Sequence, residues 1–215
     1  YICNFIMSTL ETNLVQPSSG TTLTLGASGD TVDVPSGATF DATGATVTGI
    51  TQGITMCDEF RLTSSKTVSN TQSDITANLA RTTRAGFSLL GSSGMTESSG
   101  IFTFPSTGFY MVGVLNSYTT TDANRTNGVR LYVTTNNSTY YNIGASSVNT
   151  SDDGGSSNSF GAIYSEYLID VTDTSNVKVK FDAIANNNAV TYNGDSSSTA
   201  DGSSTRFMFR RIGDT

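Results

Sequence analysis

The sequence predicts an all-β protein, and three observations support this class. Charged residues make up 13% of the 215 residues, whereas about a quarter is usual in globular proteins. Ser, Thr and Asn replace them, and Thr favours strands. Short apolar runs alternate with polar residues between 21 glycines, and no long Ala/Leu/Glu/Lys helical pattern is present. The chain is long enough to bury a sizeable core.

The N-terminal region, residues 14–57, contains short apolar clusters separated by glycines. Leu25, Val32, Phe40 and Val47 follow one another at intervals of seven or eight residues. Each cluster is too short to form a core by itself. We therefore expect an extended β-shaft in which identical chains bury these clusters against one another, with disorder as the alternative.

Four segments follow from this organisation: a tail at 1–13, a shaft or anchor at 14–57, a connector at 58–75 and a head at 76–213. Met7 resembles a natural start, so residues 1–6 are expected to be an upstream extension or, alternatively, a short anchoring strand. In the connector, Phe60 and Leu62 are expected to enter the core of the head. The polar run 64–74 predicts a loop.

The head itself predicts eight to ten short strands. Residues 75–90 lead into the first of them, with Phe87 and Leu89 on one face. Alternating apolar residues predict further strands within 129–133, 140–145, 163–171, 177–181 and 207–209. Residues 186–188 predict a turn, and 151–158 and 194–204 predict loops. This pattern is typical of a two-sheet jelly roll.

The segment between Gly100 and Val114 contains the strongest strand signal. Pro105 and Gly108 bound a turn, because Pro fixes φ and Gly tolerates positive φ. The run 109–115 is apolar at both odd and even positions. A strand with one face in water would alternate with polar residues. One face is therefore expected in the core and the other against a second subunit.

Phe102, followed after five residues by Gly108-Phe109-Tyr110, resembles the signature of C1q/TNF-like trimeric jelly rolls. The segment 204–212 is similar to the closing strand of that family, and 168–179 is similar to its penultimate hairpin. The resemblance covers about 85–213 and implies a homotrimer. It makes the following residues core or trimer candidates: Phe102, Phe104, Gly108, Tyr110, Val112, Phe207 and Phe209.

The N-terminal sequence carries a second resemblance. Residues 16–31 and 34–38, which include Gln-Pro-Ser-Ser-Gly-Thr-Thr-Leu-Thr-Leu-Gly and Val-Pro-Ser-Gly-Ala, are similar to the start of small structural proteins of bacteriophages, especially marine ones. The resemblance implies a virion protein that attaches to other virion proteins through residues 7–57.

The chain offers little for catalysis. It contains no His, which removes the usual general base and the commonest metal ligand. Carboxylate pairs that could hydrolyse glycosides are Asp58 with Glu59, Asp152 with Asp153, and Asp195 with Asp201. Asp58 and Glu59 are adjacent and would point to opposite faces of a strand. We predict a non-enzymatic protein without a cofactor. Calcium, which some C1q-like heads bind, is the alternative.

Charge and hydropathy restrict the partners. The net charge of −7 disfavours nucleic acid, which is bound by Lys and Arg. No segment approaches the ~20 apolar residues of a membrane span. Four tyrosines, expected near loops or on outward strand faces, are candidate receptor contacts or subunit contacts: Tyr118, Tyr140, Tyr141 and Tyr192.

The main hypothesis is a homotrimeric virion protein, a fibre, knob or capsid decoration whose head would either bind a host surface glycan or stabilise the shell. It would lie on the capsid or tail surface. The second hypothesis is an extracellular bacterial fibre or adhesin subunit with the same head. The third is a tailspike-like glycan hydrolase.

Overall fold

The computed structural model describes residues 15–43, 53–83, 88–121, 124–151, 158–196 and 204–215. The chain divides into two compact units, Tyr1–Ile50 and Thr51–Thr215. Among the described residues we find no helix with the length and apolarity that a membrane crossing requires.

The described part of the first unit, residues 15–43, contains no strand. Two turns are closed by backbone hydrogen bonds, from Asp30 to Ala27 and from Ala38 to Pro35. The described residues form no strand around Val32, as is expected of a short apolar cluster that cannot form a core by itself. The shaft stays a prediction, and Val47 lies outside the described residues.

The second unit is all-β, as predicted. Its described residues form eleven strands: β1 (Met56–Leu62), β2 (Lys66–Asp74), β3 (Leu79–Arg81), β4 (Thr96–Ser98), β5 (Ile101–Thr103), β6 (Gly108–Thr120), β7 (Asn124–Thr134), β8 (Tyr141–Thr150), β9 (Ser159–Val171), β10 (Lys178–Tyr192) and β11 (Arg206–Gly213).

The strands form two facing layers of a jelly roll. The first layer has the order β3–β1–β11–β6–β9, and the second contains β2–β10–β7–β8 with β5 and β4 beside one end of β10. All of these pairings are antiparallel. A short pairing of Tyr118 with Tyr192 joins β6 to β10 and connects the two layers.

Two sequence predictions about local structure are wrong. The polar run 64–74 is mostly strand β2, because it pairs with β10 and leaves its polar side chains in solvent while Val68 is buried. The expected turn at 186–188 lies inside β10 as a β-bulge, with φ of 100° at Asn187. Both segments were polar in sequence, and long-range pairing made them strands.

An aromatic cluster fills the space between the layers. Phe102 lies at its centre, with ring centroids 5.0 Å from Phe209, 5.2 Å from Phe60 and 5.7 Å from Phe181. Leu62 is also buried, so the predicted entry of Phe60 and Leu62 into the core is confirmed. Phe87 lies outside the described residues.

Candidate functional site

The residues that the sequence made core or trimer candidates are buried. All seven are buried between the layers: Phe102, Phe104, Gly108, Tyr110, Val112, Phe207 and Phe209. Gly108 has φ of 137° and a Cβ there would lie 2.5 Å from the carbonyl oxygen of Gly213. Glycine is therefore required at this turn. A role of these residues in trimer contact stays a prediction.

Strand β6 has an inward face and an outward face, and both are apolar. Tyr110, Val112 and Val114 point into the core, whereas Phe109 and Met111 are half-buried on the outer face. The flanking strands β9 and β11 pair with the edges of β6 and do not cover this face. The described residues therefore leave the second apolar face of β6 only partly covered.

Strand β9 extends this outer face with larger apolar side chains. Leu168 is paired with Met111 and is 58% exposed, and Tyr164 is paired with Leu115 and is 47% exposed. Phe160, at the start of the strand, is 74% exposed. We call the outward side chains of β9, β6 and β11 the apolar face. Its residues are Phe109, Met111, Leu115, Phe160, Tyr164, Leu168 and Met208.

The apolar face contains one ion pair. Arg210 donates to Glu166 at 2.9 Å, and the two charges cancel within the face. Burial, followed by the hydrogen bond with Glu166, raises the pKa of Tyr164 above its ordinary value. The ring of Tyr164 covers Gly113, where an added Cβ would lie 2.8 Å from its hydroxyl. Beyond this ion pair, the outward side of β9 also carries Asp170, which is exposed.

A second apolar surface lies at the edge of the two layers. Among the described residues, β8 pairs only with β7 and β9 pairs only with β6, so each has one unpaired edge. A groove of about 350 Å³ lies there, and Ile143, Tyr167 and Leu168 are among its lining residues. Tyr141 and Ile143 of β8 are exposed. Unpaired strand edges that carry apolar side chains favour association with another chain.

The four candidate tyrosines are in different environments. Tyr118 and Tyr192 are buried, so the expectation that they occupy exposed positions is wrong. Both point into the jelly roll, where Tyr118 covers Gly161 and the Tyr192 hydroxyl accepts a hydrogen bond from the amide of Gly128 at 2.8 Å. Tyr141 is exposed and Tyr140 is half-buried. A receptor role for Tyr140 and Tyr141 stays a prediction.

Of the three candidate carboxylate pairs, the structure describes both members only of Asp58 with Glu59. Asp58 is completely buried and accepts hydrogen bonds from Arg81 at 2.9 Å and from the amide of Met95 at 2.8 Å. The amide of Glu59 is a third donor. These hydrogen bonds occupy the Asp58 carboxylate, which therefore has a structural role. Residues 152–153 and 201 lie outside the described residues.

The part of the chain that the structure describes contains no group of three or more Cys, Asp or Glu side chains suited to a metal ion. Calcium binding stays an untested alternative.

The sequence did not identify the outward residues of β9. The inward face of the predicted strand 163–171 carries Ile163, Tyr167, Ile169 and Val171, which are in the core or pack against it. The signal on the other face was the second apolar series, Phe160, Ala162, Tyr164 and Leu168. As in β6, a strand that is apolar at both parities indicates cover on both sides.

Comparisons with known proteins identify the fold. No protein-family model matches the chain, and no curated protein sequence matches it. The structure of Eiger TNF from S. frugiperda aligns with a TM-score of 0.52 and 12% identity, over 76% of this chain and 96% of that one.

Two further structures give lower scores. The crystal structure of murine APRIL at pH 5.0 has a TM-score of 0.48 and 11% identity, over 73% of this chain and 98% of that one. The PRD1 vertex protein P5 has a TM-score of 0.43 and 14% identity, over 75% and 100%. The likeness to Eiger shows that the second unit has a TNF-like jelly-roll fold, as the Phe102–Tyr110 motif predicted.

Proposed function

We propose that this protein is a non-enzymatic structural protein of a virion, a homotrimer whose jelly-roll head faces outward from the capsid or tail. The observation that carries the proposal is the apolar face, where Phe160, Tyr164 and Leu168 are each about half exposed or more in the single chain. Exposed apolar patches of this kind mark interaction sites.

The geometry favours a ring of subunits over a twofold dimer. The apolar face is a sheet surface, whereas the groove beside Ile143 and Leu168 lies at a sheet edge. If the edge of one subunit packs on the face of the next, the two contacting surfaces differ. Contacts between different surfaces are heterologous, and they form a ring where the rotation between neighbouring subunits closes. Three subunits are the number that the C1q/TNF-like resemblance implies.

The virion assignment is supported by the similarity of residues 16–38 to the N-terminal sequences of phage structural proteins. In this proposal residues 7–57 join the head to other virion proteins, and the head binds a host surface glycan. No cofactor is needed for either role. The nearest competing function, an extracellular bacterial fibre subunit, would use the same trimeric head.

Two measurements test the proposal. Light scattering of the isolated chain at micromolar concentration should give three times the monomer mass, and a monodisperse monomer would contradict it. A deletion of residues 7–52 leaves β1 intact, and the trimeric head should then fail to enter virions. Normal incorporation of the truncated head would place the anchor elsewhere.

A further inference from the structure

We propose that a cleft on the outer face of the second layer binds a neutral saccharide; this rests on the proposed function of the head in binding a host glycan. The cleft has a volume of about 470 Å³ and lies across β2, β10 and β7. That volume falls within the ~300–1,000 Å³ of typical small-molecule sites and holds one or two sugar rings. Its lining includes Asn70, Gln72, Thr126, Arg130, Ile184 and Asn186.

Irregular backbone creates the cleft. Strand β10 contains a bulge between Ala185 and Ala189, and Asn70 in the facing part of β2 has a positive φ of 47°. Bulges bend a strand and redirect its side chains. At this place Ile184 is paired with Gly128 on one side and with Gln72 on the other. Gly128 allows close approach of β8, because a Cβ there would lie 1.9 Å from the carbonyl oxygen of Ser146, and Ile184 forms the floor of the cleft.

The floor is held from below by a buried tyrosine. The Tyr192 hydroxyl accepts the amide hydrogen of Gly128 at 2.8 Å and donates to the carbonyl of Ile184. These bonds tie β7 to β10 next to the bulge. Tyr192 therefore positions the site and does not contact the ligand.

The rim is polar and electrically balanced. Arg130 donates through Nε to Asp182 at 2.8 Å and through Nη2 to the Gln72 side chain. Beside this pair, Lys180 donates to Asp74 at 2.7 Å. Two cations and two anions cancel, so the rim does not select a charged ligand.

The chemistry of the lining suits a sugar. The amides of Asn70, Gln72 and Asn186 each combine donors and an acceptor, and Thr126 adds a hydroxyl that does both. Sugar hydroxyls both donate and accept hydrogen bonds, so a saccharide site needs donors and acceptors around the edge of the ring. The apolar floor at Ile184 suits the C–H face of a pyranose. The proposed subunit contact uses the apolar face and the edge groove beside Ile143, and no lining residue of the cleft belongs to either surface, so the cleft stays open in the trimer.

The experiment measures binding of methyl glycosides of glucose, galactose, mannose, N-acetylglucosamine and N-acetylneuraminic acid to the full chain by calorimetry and saturation-transfer NMR. At least one neutral glycoside should bind, and more tightly than the acidic one. Replacing Gln72 and Asn186 with Ala should weaken binding roughly tenfold, as expected for the loss of two hydrogen bonds. The matched control is Ser69→Ala, an exposed β2 residue that does not line the cleft.

Three results would overturn the inference: no binding of any neutral glycoside, tightest binding of the acidic glycoside, or unchanged affinity in the folded double variant. Circular dichroism of each variant establishes folding, and Thr126→Trp gives a second way to block the cleft. Light scattering of the same samples separates the two proposals. A trimer without sugar binding contradicts only this inference, and a monomer that binds sugar contradicts only the assembly.

Discussion

The outer faces of the two layers differ in how they meet solvent. On the first layer, Leu168 and Tyr164 expose large apolar surfaces beside half-buried Met111. On the second layer, Lys180 lies 5.1 Å from the ring centroid of Tyr140 and 5.5 Å from that of Tyr132. One face lacks cover for its apolar groups, whereas the other satisfies its charges with its own aromatic and acidic neighbours.

From this difference we expect the outer face of the first layer to contact other subunits and the outer face of the second layer to stay exposed to solvent. Apolar area in water is unfavourable by roughly 25 cal/mol per Å², so the first layer gains free energy from a partner. Charges that already have partners gain little from one, because their desolvation costs free energy. The two faces enclose one core, so substitutions can affect either face alone or both together.

The largest effect is expected from a charge in the apolar face. Leu168→Glu would place a carboxylate near Glu166 and Asp170 at the centre of the proposed contact, where Arg210 already pairs with Glu166. We expect the trimer to dissociate to monomers at micromolar concentration in light scattering. Ser69→Glu adds the same charge on exposed β2 and should leave the trimer intact. A trimer that persists in Leu168→Glu would exclude this face as the interface.

A core substitution should weaken both layers together. The Tyr110 ring lies 4.6 Å from that of Phe104, and its hydroxyl hydrogen-bonds with Ser106. Tyr110→Ala should reduce the free energy of unfolding by about 3–5 kcal/mol, as for other buried aromatics. Tyr110→Phe removes only the hydroxyl and should cost about 1 kcal/mol. Urea unfolding measures both, and equal midpoints for the two variants would contradict the packing.

Alkaline pH should act on the core beneath the second layer. Burial raises the pKa of Tyr192 above its ordinary value of 10.0. Above pH 10 the unfolded state therefore loses this proton while the native state keeps it, and stability falls as pH rises. The thermal midpoint should decline more steeply above pH 10 in the native chain than in Tyr192→Phe. Tyr141→Phe, at an exposed site, should keep the native slope.

The smallest effect is expected on the second layer. Lys180→Met removes the ion pair with Asp74 and the contacts with Tyr132 and Tyr140. Exposed ion pairs and cation–π contacts each contribute about 0.5–1 kcal/mol. We expect a loss of about 1 kcal/mol in urea unfolding and no change in oligomeric state. Dissociation of the trimer by this variant would reverse the roles of the two faces.

Much of the fold could be predicted from local patterns. Alternation located β7, β9 and β11, and the apolar run after Gly108 predicted a strand that needs cover on both sides. These predictions succeeded because a strand repeats every two residues, so neighbouring letters show which side chains share a face.

The sequence by itself determined the all-β class, the aromatic core around Phe102 and the turn that requires Gly108. Tertiary structure alone decided that polar 66–74 is a strand, that Tyr192 is buried and that the bulge of β10 opens a cleft. The physical reason is distance along the chain. Pairings such as β2 with β10 join residues about a hundred positions apart, and a two-residue period carries no information about which distant strand lies beside it.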